Sequence, residues 1–203
     1  MAHVTSGAGD AANHAGAVGS ARANGTTSAL GAADQDDDLP ILRRRRIEAG
    51  IVAPIYRVMV REIGAERARE IIREAIAADA RAQGARMARR EEEDGRPADL
   101  TTFIALQELW KADDALVTET LTATPERYDY DVTRCRYAEM YQEMGIAEIG
   151  ELLSCARDYE FPLGFDGSIT LQRTTTIMTG ARRCDFRYRR PPTAPAPTPE
   201  ETP

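Results

Sequence analysis

The residues with reactive side chains are concentrated in the last third of this chain. All three cysteines fall there, as Cys135, Cys155 and Cys184, while both histidines, His3 and His14, lie in a low-complexity N-terminal stretch. Chemistry in the folded part would therefore fall to thiols, carboxylates, arginines, tyrosines or a bound metal, without an imidazole base. Cys155 and Asp158 are spaced i, i+3, which puts both side chains on one face of a helix. Two uses fit. The carboxylate could take the thiol proton and hold an amidine by paired hydrogen bonds, or thiolate and carboxylate could share a divalent metal. A buried structural cysteine beside a helix-end aspartate fits the same pattern.

Cys184 and Asp185 are adjacent on a predicted strand and so point to opposite faces. With Cys184 and Phe186 toward the core, Asp185 and Arg187 face away, and Asp185 could simply pair with an arginine. Cys135 ends a strand-like run, a place that suits a functional or a packed cysteine. Tyr137, two residues on, reads either as a proton donor or as an ordinary half-buried tyrosine. Arg173 sits between Leu171 and Thr175 on a β-branched stretch, where it is either solvated or an anion anchor. Cys135, Cys155, Cys184 and Asp158 could in principle bind zinc tetrahedrally. Against that, the chain has no Cys-x-x-Cys pair, and spacings of 20 and 29 residues match no zinc ribbon or finger.

These residues need elements to position them. Ile47 to Ile63 reads as an amphipathic helix with Ile51, Ile55, Met59 and Ile63 inward, kinked or broken at Pro54. Glu66 to Glu93 is a longer helix with Ala68, Ile71, Ile72, Ala75 and Ile76 as its apolar side, ended by Asp94-Gly95-Arg96-Pro97. Asp99 caps a third helix, Leu100 to Lys111, and a short fourth covers Asp113 to Leu121. After Pro125 the pattern changes. Tyr128 to Cys135 alternates as a strand, Tyr137 to Met144 makes helical turns, and Ile146 to Arg157 is helical with Ile149, Leu152 and Leu153 inward. Pro162-Leu-Gly164 and Asp166-Gly167 are loop signals. Ser168 to Met178 is a strand, Thr179 to Arg182 a turn, and Arg183 to Arg189 its partner. The expected fold class is α+β: a helical N-terminal half packed on a small antiparallel β-sheet with a C-terminal hairpin.

Composition bounds the rest. Residues 1–33 hold 11 Ala and 6 Gly, Asp34 to Asp38 add four acids, and residues 191–203 contain six prolines. Neither end can bury enough apolar surface to offset its ordering entropy, so 1–38 and 191–203 are expected to be disordered tails around one domain at 39–190. The tails take seven of the 33 acids and one of the 26 bases, leaving 26 acids and 25 bases in the middle. A near-neutral domain gives no sign of nucleic acid. Arg43 to Arg46 reads as a solvated helix start facing the acids before it. No stretch suits a transmembrane helix or secretory signal, and an odd cysteine count fits reduced thiols in a cytoplasm.

Cys135-Arg-Tyr-Ala-Glu-Met-Tyr, Gly145-Ile-Ala-Glu-Ile-Gly150-Glu-Leu-Leu-Ser-Cys155-Ala-Arg-Asp158, Arg173-Thr-Thr-Thr and Gly180-Ala-Arg-Arg-Cys184-Asp185-Phe186 follow one another in order. This series resembles the L-2-amino-thiazoline-4-carboxylic acid hydrolase family over about residues 128–189. The resemblance implies a hydrolase that opens a five-membered cyclic isothiourea to an N-carbamoyl amino acid. The reacting carbon carries two nitrogens and a sulfur, so the reaction needs a nucleophile, charge stabilisation at nitrogen and a proton for the leaving sulfur. On that basis Cys155 or Cys184 is expected as nucleophile or ligand, Asp158 as base or amidine partner, and Arg173 as carboxylate anchor. Cys135, Asp185 and Tyr137 complete the candidate set. The expected partner is a small heterocyclic substrate, with no nucleic acid and no membrane. A homo-oligomer and a divalent metal stay open, and no organic cofactor is expected. Two rival readings remain. One is a non-catalytic small-molecule-binding module, because the Gly-x-x-x-Cys-x-Phe ending is similar to ligand-sensing domains. The other is an accessory subunit held through the Arg/Glu-rich second helix.

Overall fold

The computed structural model describes residues 39–192. The expected N-terminal tail, both histidines and all of the C-terminal tail except Pro191 and Pro192 lie outside the described residues. The architecture is α+β. Three helices lead: α1 (Ile41–Ile63), α2 (Ala65–Glu93) and α3 (Leu100–Lys111). Then come β1 (Leu116–Ala123), β2 (Arg127–Cys135), α4 (Arg136–Glu143), the single turn α5 (Ala147–Gly150), a π-helical turn at Glu151–Cys155 and α6 (Arg157–Phe165). Strands β3 (Thr170–Gln172) and β4 (Cys184–Arg189) close the chain. The sheet is antiparallel in the order β1-β2-β4-β3.

The sheet has one dry face and one ionic face. Tyr128, Tyr130 and Val132 of β2 lie beside Tyr188, Phe186 and Cys184 of β4 and are all buried. Phe103 of α3 meets Tyr188 edge-on at 5.0 Å, and Phe161 and Phe165 of α6, stacked on each other, tilt against it. On the opposite face Asp129 and Asp131 are also buried, under arginines. Asp129 pairs with Arg127 and Arg189, both at 2.5 Å, and Asp131 with Arg187 at 2.8 Å and Arg183 at 3.1 Å. Burying a carboxylate is tolerable only with such partners.

Capping of α3 follows the sequence. Asp99 accepts the backbone N–H groups of Thr101 and Thr102, and the Thr102 hydroxyl accepts that of Asp99. α2 and α6 cross almost in backbone contact. A Cβ on Gly84 would collide with the carbonyl oxygen of Phe161, and one on Gly164 with that of Arg81.

The structure corrects several expectations. α1 starts at Ile41 and runs through Pro54 without a break. Its core-facing stripe is Arg45, Ala49, Ala53 and Tyr56, whereas Ile51, Ile55 and Ile63 are 63, 50 and 46% exposed. The core here selects small side chains, so the large apolar residues lie on the other face. Arg45 is accordingly buried rather than part of a solvated run. Residues Asp113 to Leu121 are not a helix. Asp113 and Asp114 take left-handed backbone at φ 59° and 55°, ending the helical run, and the β-branched stretch after them pairs with β2. Pro162 and Gly164 lie inside α6 instead of a loop, because Gly164 lets α2 approach. Only Thr170–Gln172 of the expected 168–178 strand joins the sheet. Beyond it the Asp185 carboxylate takes the N–H and hydroxyl groups of Thr174 and Thr175, replacing a strand ladder with side-chain bonds.

Candidate active site

The departure of residues 173–176 from the sheet has a consequence for Arg173. Its side chain, 3% exposed, turns inward. Nη1 meets Asp158 Oδ2 at 2.5 Å, and Nη2 donates to the carbonyl oxygen of Cys155 at 3.1 Å. The guanidinium carbon lies over two rings, 4.8 Å from the centre of Phe186 and 5.1 Å from that of Tyr159. Cation–π contact with both rings helps to fix its orientation. Its Nε is buried without a partner.

Cys155 ends the π-helical turn and Asp158 follows in the first turn of α6. A π-turn shifts the helix register locally and recurs at functional sites. Here Cys155 and Asp158 both line one cavity of about 90 Å³. Cys135 and Tyr137 reach it from the β2–α4 junction and Cys184 from the start of β4. Of the sequence-derived candidates, Cys135, Tyr137, Cys155, Asp158, Arg173 and Cys184 all line the cavity. Asp185 does not: it faces away and braces the segment that carries Arg173. The rest of the wall includes the aromatic rings of Phe103, Trp110, Tyr130, Phe161, Phe186 and Tyr188.

Burial governs protonation here. It pushes the Cys135 thiol up to about 11, and the neighbouring backbone N–H groups of Ala138 and Tyr137 offset only part of the effect. It pushes Cys155 higher, and the Asp158 charge adds to the rise. Cys184 is also raised by burial, but two features favour its thiolate: the Ile177 N–H donates to Sγ at 3.2 Å, and Arg173 lies near. Burial raises Asp158 above the usual carboxylate range, and Arg173 pulls it back in part. Burial would lower Arg173, but Asp158 outweighs it and holds the guanidinium charged. Burial raises Tyr137 strongly, and its hydroxyl donates to the carbonyl oxygen of Trp110 at 3.2 Å. Among the described residues no group of three His, Cys, Asp or Glu side chains could hold a metal ion, so the Cys135, Cys155, Cys184 and Asp158 set does not assemble as a ligand cage.

Sequence reasoning missed Arg45 and Arg157, which also line the cavity. Arg45 was hidden in a four-arginine run, and its register on the alanine stripe was the available signal. Arg157 lay between the two residues of the Cys155–Asp158 pair. Gln107, whose side-chain oxygen accepts from the Tyr130 hydroxyl at 3.4 Å, was likewise unmarked.

The described residues form an α+β domain in which a helical layer and a four-stranded sheet enclose a small cavity with thiols and one ion pair in its wall. The chain belongs to the L-2-amino-thiazoline-4-carboxylic acid hydrolase family, whose profile matches residues 44–188. Among solved structures it is similar to the phenol-responsive sensory domain of the transcription activator PoxR with phenol. The identity is 12% and the TM-score 0.45, over 70% of this chain and 73% of that one. A comparison with curated protein sequences finds no match. Among the described residues no helix is long and apolar enough to cross a membrane.

Proposed function

We propose that the protein is a hydrolase that opens a small cyclic amidine or isothiourea, of the 2-amino-thiazoline-4-carboxylate kind, inside this cavity. The observation that carries the reading is that Cys184, Asp158 and Arg173 line one cavity although they come from β4, α6 and the β3–β4 connection. Family membership supports it.

The roles follow from the environments. Cys184 is the nucleophile, because its sulfur has a backbone N–H donor and a nearby guanidinium to support negative charge. Asp158 takes the thiol proton as the Cys184 sulfur bonds to the ring carbon between sulfur and nitrogen. The carbon–sulfur bond of the ring then breaks, and the leaving sulfur recovers that proton from Asp158. Water attacks the same carbon and gives a proton to Asp158, the Cys184 sulfur leaves and takes that proton back, and one water has been added overall. Arg173 holds Asp158 in place and tunes its charge, a positioning role that replaces the expected carboxylate anchor, since Asp158 and the Cys155 carbonyl already occupy its fork. The cavity volume of about 90 Å³ suits only a small ligand. A ring compound is accommodated by shifts of flexible wall side chains such as Met178.

One observation favours a second reading, a binding cavity without turnover: burial raises all three thiols, so the resting state holds no ready thiolate. Incubating purified protein with 2-amino-thiazoline-4-carboxylate and following release of product thiol separates the two. Turnover by the wild-type protein that is lost in Cys184→Ser supports the hydrolase. Saturable binding with no thiol released supports the binding module.

A further inference from the structure

Two arginines in the cavity wall have no part in the chemistry above. The Arg45 side chain is 6% and the Arg157 side chain 9% exposed, and both line the cavity. Their acidic partners sit on the outer side. Glu48, paired with Arg45 at 2.6 Å, is 37% exposed, and Asp79, paired with Arg157 at 2.7 Å, is 46% exposed. Neither acid lines the cavity. Water therefore screens the acids more than it screens the guanidinium groups, and the field inside the cavity is positive on this side. Compensation is incomplete. Arg157 Nη2 stands 3.9 Å from Glu48, beyond hydrogen-bond reach, while Nε donates to the Leu153 carbonyl and Nη1 to Asp79. Burial, and then the neighbouring Arg45 charge, lower the pKa of Arg157 despite both acids. Two adjacent buried cations with solvent-edge partners make an environment that an entering anion would relieve.

We infer that Arg45 and Arg157 form an anion subsite that takes the carboxylate of the ligand, with Arg157 Nη2 as the open donor. This deepens the hydrolase reading and rests on it for the identity of the ring. Placed there, a carboxylate is held by Arg45 of α1 and Arg157 at the start of α6, and the rest of the ligand extends toward Cys184, Asp158 and the aromatic side chains. The site would therefore select small, flat, negatively charged rings over neutral ones of the same shape.

The test compares acids with isosteres whose carboxylate is replaced by a neutral amide, by calorimetric titration: 2-amino-thiazoline-4-carboxylate against its 4-carboxamide, and benzoate against benzamide. The wild-type protein is expected to bind each acid about ten- to a hundredfold more tightly than its neutral partner, as for a hydrogen bond to a charged group. In Arg157→Gln and Arg45→Gln that preference is expected to collapse while affinity for the neutral ring is kept. The exposed Arg46→Gln is expected to change neither. Equal affinity for acid and neutral ring in the wild-type protein, or no saturable binding of either acid, overturns the subsite whatever the variants do. A preference that survives both Gln variants overturns it as well. Tight, arginine-dependent binding of the acid without ring opening leaves the subsite standing and overturns the hydrolase reading instead.

Discussion

Arg173 and Asp158 meet at 2.5 Å inside the cavity wall, with the guanidinium over the rings of Phe186 and Tyr159. The pair is the electrostatic centre of the site. Asp158 is pushed toward its neutral form by burial and held back from it by Arg173, which suits a group that must accept and return a proton.

Asp158→Asn tests this directly. It keeps the shape, removes the base, and leaves the Arg173 charge buried without its carboxylate. Turnover is expected to fall about 10²- to 10⁴-fold. Stability is expected to fall by about 3–5 kcal/mol, the cost of orphaning a buried charge. The double variant Asp158→Asn, Arg173→Gln is expected to lose less than the sum of the singles, read from urea midpoints.

Asp185 acts at one remove. Slight burial would raise its carboxyl, but the hydrogen bonds from Thr174 and Thr175 outweigh that and hold it well below the usual carboxylate range. A depressed folded pKa means that its contribution to stability is present above the unfolded value and drains away as pH falls. Asp185→Asn is expected to lower turnover by letting Arg173 drift, and to flatten the acid limb of stability against pH. Circular dichroism melts across the acid range, beside steady-state rates, check both.

The thiols and the core tyrosines make the opposite prediction at high pH. Burial raises Cys135, Cys155, Cys184, Tyr130 and Tyr188 above their unfolded values. Between the two values the folded chain keeps protons that the unfolded chain has released, so stability falls as pH rises. Thermal melts are expected to drop steadily above the ordinary thiol value of 9.0, through the Cys135 value of about 11. At neutral pH, alkylation of Cys135 in the native protein is expected to be at least about a hundredfold slower than that of a free cysteine.

Gly84 and Gly164 fix how closely α2 and α6 approach, and hence the depth of the cavity between Ala80 and Phe161. Gly164→Ala forces its Cβ into the Arg81 carbonyl and is expected to cost at least roughly 1–3 kcal/mol. Gly167→Ala, whose Cβ would meet only the Leu163 oxygen at 3.8 Å, is expected to stay within about 1 kcal/mol. Paired denaturation curves check the contrast.

How far the sequence was legible varied with the kind of signal. The alternation of Cys184 to Arg189 and the Asp99 cap are local, and both hold in the structure. The inward face of α1 was misread because the apolar period of Ile51, Ile55 and Ile63 is real, yet it lies opposite the side that the core selects for small residues. Pro162 and Gly164 looked like a loop because their reason for being helical is a contact with α2, about eighty residues earlier. Arg45 was legible only through its register on the alanine stripe, and Arg157 gave no local sign, because tertiary packing brings both to the cavity.

The most direct measurement is a single turnover of 2-amino-thiazoline-4-carboxylate, quenched in acid and read by the intact mass and peptide map of the protein. The account predicts a transient adduct of one substrate on Cys184, followed by release of a ring-opened product carrying one added water and a free thiol. Substrate that binds and is recovered unopened, with Cys184 never modified, would contradict it.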